Sequence, residues 1–442
     1  MVAEAAPLHA VPSLDSPVAA PDWGPVKRIL FRFAFTYFLL YYGLAPLYSI
    51  SWLDPVVTLT EKLWAVLVPW TARQVFGIQM TALDLVPTGS GDGTYGYVRL
   101  FCNLILSVTV ALVWTLLDRR RKSYPRLHEG LRIFLRFALA VSLLGYGAYK
   151  VIKSQFPDPT LDRLLQPFGD ASPMGLLWTF MGASLSYNIF TGAVEMLGGL
   201  LLTFRRTTLL GALVAAGAMA NVAMLNFAYD VPVKLYSLHL LLTAVFLTLP
   251  DVGRLANLFL LNRPAEPVPE RPLFARRWLD RGALVVRTLF VAYVTFAALQ
   301  VSYRARMSYG DRAPKSPFYG IWNVEEMAAN GKARPALVTD TSRWHRVIFD
   351  RPGTLAIQTM DGHRVRYSID PQAGDSVFAL TKRGDAAWTS KLSYRRTGPE
   401  SMEVQGKFDG QNVRAVLRRT DPPEFLLTTR GFHWINEYPF NR

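Results

Sequence analysis

The sequence predicts an integral membrane α-helical bundle of about seven spans followed by a C-terminal all-β domain, a small meander barrel. Three observations carry that reading. Apolar residues make up 51% of the 442 residues and gather in long blocks within the first two thirds of the chain. Lys and Arg cluster beside those blocks, where membrane topology places them. Beyond Tyr303 the blocks give way to short runs of alternating polarity separated by turn residues.

Residues 1–28 are rich in Ala, Pro and Ser and lack the basic-then-apolar order of a signal peptide. They read as a disordered cytoplasmic tail. A spanning helix needs about 20 mostly apolar residues. Ile29–Ile50, Gly96–Leu117, Leu131–Ile152, Tyr187–Phe204, Thr207–Phe227, Leu235–Pro250 and Ala283–Ser302 meet that requirement. The long link at 51–95 holds an apolar run, Leu63 to Trp70, suited to the membrane interface, and a Gly-rich turn from Thr88 to Thr94. That turn has neither a preceding strand nor a following Lys-Ser/Thr, so a phosphate loop is not expected. In the link Phe156–Ser186, Leu161, Leu164, Leu165 and Phe168 fall at helical spacing and precede the apolar Met174–Phe180. This predicts a short amphipathic helix and then a re-entrant or interfacial segment.

The formal net charge is +15. Its clusters, Lys27-Arg28, Arg119 to Arg126, Arg205-Arg206 and the run from Arg254 to Arg281, all fall on one side of the membrane if the span count holds. This reads as topology and not as a nucleic-acid surface. It predicts a bacterial cytoplasmic membrane protein with its N-terminus inside and its β domain outside. Arg136 and Arg287 lie near inner helix ends and are expected to snorkel. Cys102 is the single cysteine, so no disulfide forms within the chain. No paired-ligand pattern for a metal and no cofactor fingerprint is evident.

Residues 304–317 read as a linker, and 318–442 as the β domain. Runs such as Arg343–Phe349, Thr354–Thr359, Val365–Ile369, Ser401–Phe408, Val413–Arg418 and Phe425–Thr429 alternate in polarity, with turns at Asp361-Gly362 and Asp409-Gly410. About eight or nine short strands in sequence give an up-and-down meander that closes on itself.

Several residues carry candidate chemistry. Glu195 lies mid-span, where a charge costs several kcal/mol. Gly192 and Gly199 share its helix face, so it should point into the bundle. It is either a proton-carrying or ligand-binding carboxylate or a protonated group bonded to a neighbouring helix. Lys150 ends its span. His239 is the single histidine among the seven apolar blocks, and either bonds a ligand such as a quinone carbonyl or satisfies a backbone group. Asn221, Asn226, Asp230 and Lys234 gather near the same bundle end and are candidates for ligand binding. Asp230 and Lys234 are spaced for an ion pair, with Pro232 between them.

Two stretches resemble known groups. Leu135 to Lys150, with Gly192-Ala-Val-Glu-Met-Leu-Gly-Gly-Leu-Leu-Leu202 and Arg206-Thr-Thr-Leu-Leu-Gly-Ala-Leu213, resembles the DoxX family of four-span bacterial membrane proteins. In that family an early helix ends in Gly-x-x-Lys and a later one holds Glu-x-x-Gly-Gly, which Lys150 and Glu195 match. The resemblance covers 131–250 and leaves 29–130 as accessory helices, 251–282 as an inner loop and 283–303 as a further span. It implies association with a membrane oxidoreductase system, quinone-linked in some members, with redox partner proteins. The alternative is a non-enzymatic binder or carrier of an apolar small molecule or lipid, or a scaffold of an envelope complex. The C-terminal domain is similar to lipocalin-like barrels, with Gly320-Ile-Trp322 opening the first strand and Arg430 after the last. That likeness implies structural roles: Trp322 plugs the closed end and Arg430 stacks across it.

In intact spheroplasts, external protease is expected to remove a C-terminal tag and spare an N-terminal one. The reverse pattern would invert the orientation.

Overall fold

The structure, a computed structural model, describes residues 22–43, 54–86, 88–267, 276–370, 376–422 and 424–441. Most of the expected N-terminal tail, the end of the first apolar block (44–50) and part of the 251–282 loop lie outside the described residues.

The helices are α1 (Pro25–Tyr42), α2 (Asp54–Phe76), α3 (Thr94–Leu117), α4 (Pro125–Val151), α5 (Leu161–Leu164), α6 (Pro173–Ala183), α7 (Leu185–Thr203), α8 (Thr208–Ala228), α9 (Lys234–Thr248), α10 (Val252–Phe259) and α11 (Arg277–Tyr309). Among the described residues six helical stretches are long and apolar enough to cross a membrane. They are α3, α4, α7, α8, α9 continued through α10, and α11. The chain is therefore a multi-pass membrane protein. The first of the seven expected spans is absent from this set. Its helix α1 begins at Pro25, before the apolar run, and so includes Lys27, Arg28 and Arg32. Arg32 is 2% exposed. Its guanidinium donates to the Tyr124 hydroxyl (2.6 Å), Thr115 Oγ1 (2.8 Å) and the Asp118 carbonyl (2.8 Å), which ties α1 to α3 and to the start of α4.

The run from Leu63 to Trp70 belongs to the 23-residue α2, which packs on α3 through Val68, Ala72, Val98 and Cys102. Arg136 does not snorkel. It is 7% exposed and donates to the carbonyls of Leu202 (3.0 Å) and Thr203 (3.2 Å). The last carbonyls of α7 lack intrahelical partners, and this side chain supplies donors for two of them.

The centre of the bundle is the crossing of α4 and α7. A Cβ on Gly192 would lie 2.6 Å from the carbonyl oxygen of Gly147, and a Cβ on Gly147 would lie 2.6 Å from that of Gly192. The two backbones touch because neither residue has a side chain, as the glycines around Glu195 predicted.

The β domain comprises β1 (Gly320–Ala329), β2 (Lys332–Ala333), β3 (Trp344–Phe349), β4 (Thr354–Thr359), β5 (Arg364–Asp370), β6 (Val377–Lys382), β7 (Asp385–Arg396), β8 (Ser401–Phe408) and β9 (Gln411–Thr420). All pairings are antiparallel between sequence neighbours, except that β3 pairs with β1 past the two-residue β2 and β9 returns to β1. The eight strands other than β2 thus close into a meander barrel. Its interior is filled by buried side chains that include Trp322, Trp344, Phe349, Phe378, Phe408 and Leu417. Trp322 is 1% exposed and donates Nε1–H to the Phe318 carbonyl at 2.8 Å.

Two expectations for the barrel fail together. Phe425–Thr429 is not a strand, because Asp421-Pro422 ends the sheet and Leu426–Thr429 forms one helical turn, α12. That turn carries Arg430 off the barrel, so its guanidinium stacks on Phe440 (3.8 Å) instead of on Trp322.

The barrel is fixed to the bundle through α5. Asp162 accepts from Arg366 Nε at 2.6 Å and Arg364 Nη1 at 2.8 Å, with Asp162 and Arg364 both almost fully buried. In return Asp350, in the turn after β3, accepts from the backbone N–H groups of Leu161 (2.8 Å) and Asp162 (3.1 Å). Burial raises the pKa of Asp350 even though those two N–H bonds oppose the rise. Leu161, Ile321, Ile348 and Ala356 form an apolar cluster beside these ion pairs.

Gly192→Leu is expected to lower stability by about 1–3 kcal/mol or to prevent folding, whereas Gly217→Leu, which faces open space, should melt like the parent in detergent. Asp162→Asn leaves two arginines short of a carboxylate and should cost about 3 kcal/mol at the seam. The check is faster proteolytic release of the barrel, with the bundle's own melting unchanged.

Candidate functional site: a buried ion pair beside an apolar cavity

Lys150 is the penultimate residue of α4, and Glu195 lies in the middle of α7. The glycine contact between these helices brings them together, and Lys150 Nζ donates to both carboxylate oxygens of Glu195 at 2.7 Å. Lys150 is 6% exposed and Glu195 2%. Either group alone would be costly in an apolar bundle; together they cancel.

The pair forms one wall of a cavity of about 200 Å³, whose remaining lining is mostly apolar, with Leu143, Met219 and Leu240 among it, and includes the polar Thr191 and Ser237. Its roof comes from the link that carries α5 and α6: Gln155, Phe156, Leu177, Trp178 and Met181. Oε1 of Gln155 is buried there without a hydrogen-bond partner. The space is large enough for a small, largely apolar molecule, and the lysine and carboxylate are polar groups on its wall.

The other candidates divide. Asn226 lines this cavity, and its Nδ2 donates to Ser237 Oγ at 3.0 Å, holding α8 to α9. Asn221 lines it from an exposed position. Asp230 and Lys234 line neither this cavity nor the larger one described next. They form the expected ion pair at 2.8 Å in the turn between α8 and α9, with Asp230 at φ +50°. There they tie the two ends of that turn together. Asp92 completes it by accepting from the N–H groups of Lys234 (2.7 Å) and Leu235 (2.9 Å), the open N-terminus of α9.

His239 does not join Glu195. It borders a second, more open cavity of about 930 Å³, together with Tyr41, Glu61, Arg99 and Asn103. Tyr146, Val233 and Tyr236 are common to the two linings. Both ring nitrogens of His239 are engaged. Nδ1 lies 2.6 Å from the Leu235 carbonyl, which can only accept, so Nδ1 carries the proton. In that neutral ring Nε2 accepts from the Tyr37 hydroxyl at 2.5 Å. The ring also stacks on Tyr41 with centroids 3.7 Å apart. This is a satisfied histidine with no nitrogen left for a ligand.

A curated protein of Bacillus subtilis (strain 168), "Uncharacterized protein YwoB", is 30% identical to this chain over 158 residues, which is 92% of that protein. The chain belongs to the family of YwoB. The match takes in 35% of the chain, and the name of that relative states no activity. No family model and no solved structure matches the chain.

Sequence reasoning singled out Lys150 and Glu195 separately and missed the roof residues Gln155 and Trp178, the cap Asp92 and the partner Tyr37. A buried Glu and a Lys at helix positions flanked by small residues was the one signal for the pair. Nothing in the local sequence signals Tyr37 as the partner of a histidine 202 positions away.

His239→Phe keeps the stack on Tyr41 and loses both the bond from Tyr37 and the one to the Leu235 carbonyl. It should cost about 1 kcal/mol in detergent melting and leave any molecule co-purifying with the bundle unchanged.

Proposed function

We propose that the bundle binds a small, mostly apolar molecule in the cavity beside Lys150 and Glu195, as a DoxX-like subunit of a membrane-associated, quinone-linked oxidoreductase system. The observation that carries this reading is the placement of a paired, almost fully buried charge on the wall of a mostly apolar space. A quinone head group suits that wall in chemistry, because Lys150 offers a donor for a carbonyl and Glu195 a group that takes or gives a proton. Redox partner proteins supply or remove the electrons in this reading. The membrane is the bacterial cytoplasmic membrane, with the barrel on its outer side, as the charge distribution predicts.

A second reading keeps the cavity and drops the redox chemistry: the chain carries or stores an apolar molecule, or scaffolds an envelope complex. It draws support from the lone Cys102, whose thiol is buried against Thr71 Oγ1 at 3.3 Å. In both readings the ligand belongs to the bundle. The aromatic filling of the barrel argues against a lipocalin-like carrier there.

Mass spectrometry of molecules retained by the detergent-purified chain separates these readings: a quinone supports the first, and a lipid or other redox-inert molecule supports the second. The double change Lys150→Met/Glu195→Leu removes both charges at once and should leave unfolding within about 2 kcal/mol of the parent while abolishing retention. Retention of the same molecule by that folded variant would end the assignment of this cavity. Glu195→Gln alone leaves Lys150 without its counter-charge and should cost about 3 kcal/mol.

A further inference from the structure

Past the barrel the chain turns apolar again in an exposed place. Leu426, Leu427, Phe432, Trp434, Ile435 and Tyr438 are each more than half exposed, Trp434 by 90%. Large apolar side chains left exposed this densely along the chain mark a surface that meets another phase or partner. Its position decides which. β9 ends at Thr420 opposite Ile321, at the barrel end that also carries Asp350 and docks on α5. Phe425, at the foot of the segment, packs into the seam with Leu161, Leu165 and Tyr319. The segment therefore leaves the barrel at the end that docks on α5, in the link between the membrane-crossing helices α4 and α7. Phe168, just past α5 on the same link, is 80% exposed.

The composition fits a lipid boundary better than a protein groove. Trp, Tyr and Phe are interspersed with Arg430, His433, Asn436, Glu437 and Asn441. Amphipathic rings mixed with polar groups are the residues that settle at headgroup depth. The stretch is too short to cross a bilayer. Arg430 stacks on Phe440 and donates to Asn436 Oδ1 at 2.7 Å, which folds the segment into a closed loop. Phe432 and Trp434 sit edge to face at 5.0 Å on that loop. We propose that residues 426–441 lie in the phospholipid headgroup layer on the barrel side of the membrane. They are a second mooring for the barrel, independent of the ligand in the bundle.

The test uses the full chain in nanodiscs of phosphatidylethanolamine and phosphatidylglycerol, in a Cys102→Ser background. A spin label is placed by Trp434→Cys or, as a control at the far end of the barrel, by Lys332→Cys. The label at 434 is expected to be reached by oxygen and shielded from a water-soluble nickel chelate, and the label at 332 to be open to nickel. Equal nickel access at both positions would overturn the proposal. So would shielding at 434 that persists in lipid-free detergent and grows with protein concentration, since that pattern denotes a protein partner or a second copy. Both positions are exposed, so neither substitution disturbs the fold.

Discussion

The backbone contact between Gly147 and Gly192 sets the geometry of the bundle. Any side chain at either position would force α4 and α7 apart. Lys150 is one turn from Gly147, and Glu195 is one turn from Gly192. The close approach is therefore what brings Nζ within 2.7 Å of both carboxylate oxygens. Without it the membrane interior would hold two uncompensated charges, each costing several kcal/mol. Packing and electrostatics depend on the same pair of missing side chains.

The barrel reads as part of the bundle's outer architecture. Its interior is occupied, so its usable features are its ends and its seam with α5. The seam is polar at Asp162, Arg364, Arg366 and Asp350, and apolar at Leu161 and Ile348. The link that carries α5 also supplies Gln155, Phe156 and Trp178 to the cavity roof. The barrel thus grips the same polypeptide segment that closes the space beside Glu195. The segment from Gln155 to Trp178 therefore touches both the barrel and the cavity.

Much of this was legible in the sequence. Long apolar blocks and Gly-x-x-Glu spacing are local patterns, and they located α3, α4, α7, α8, α9 and α11 and pointed Glu195 inward. Alternation and turn residues located β3, β4, β8 and β9 to within about two residues. The failures share a cause, which is that the deciding partner is far away in sequence. Arg136 reads as a helix-end arginine until the free carbonyls of Leu202 and Thr203 appear beside it. Phe425–Thr429 has strand-like alternation, but β9 already pairs with β8 and β1 on its two flanks, and the chain leaves the sheet after Thr420. Arg430 moved with it.

That closure orders the synthesis of the molecule. Ile321 pairs with Thr420, so the first barrel strand has no partner on one flank until the ninth has been made. Each hairpin can form as it emerges, but the sheet stays open-edged while nearly all of the chain is translated and the helices have already been laid into the bilayer. During that interval an unpaired β1 edge faces solvent, and the nascent domain is at its most vulnerable to aggregation or to capture by a chaperone.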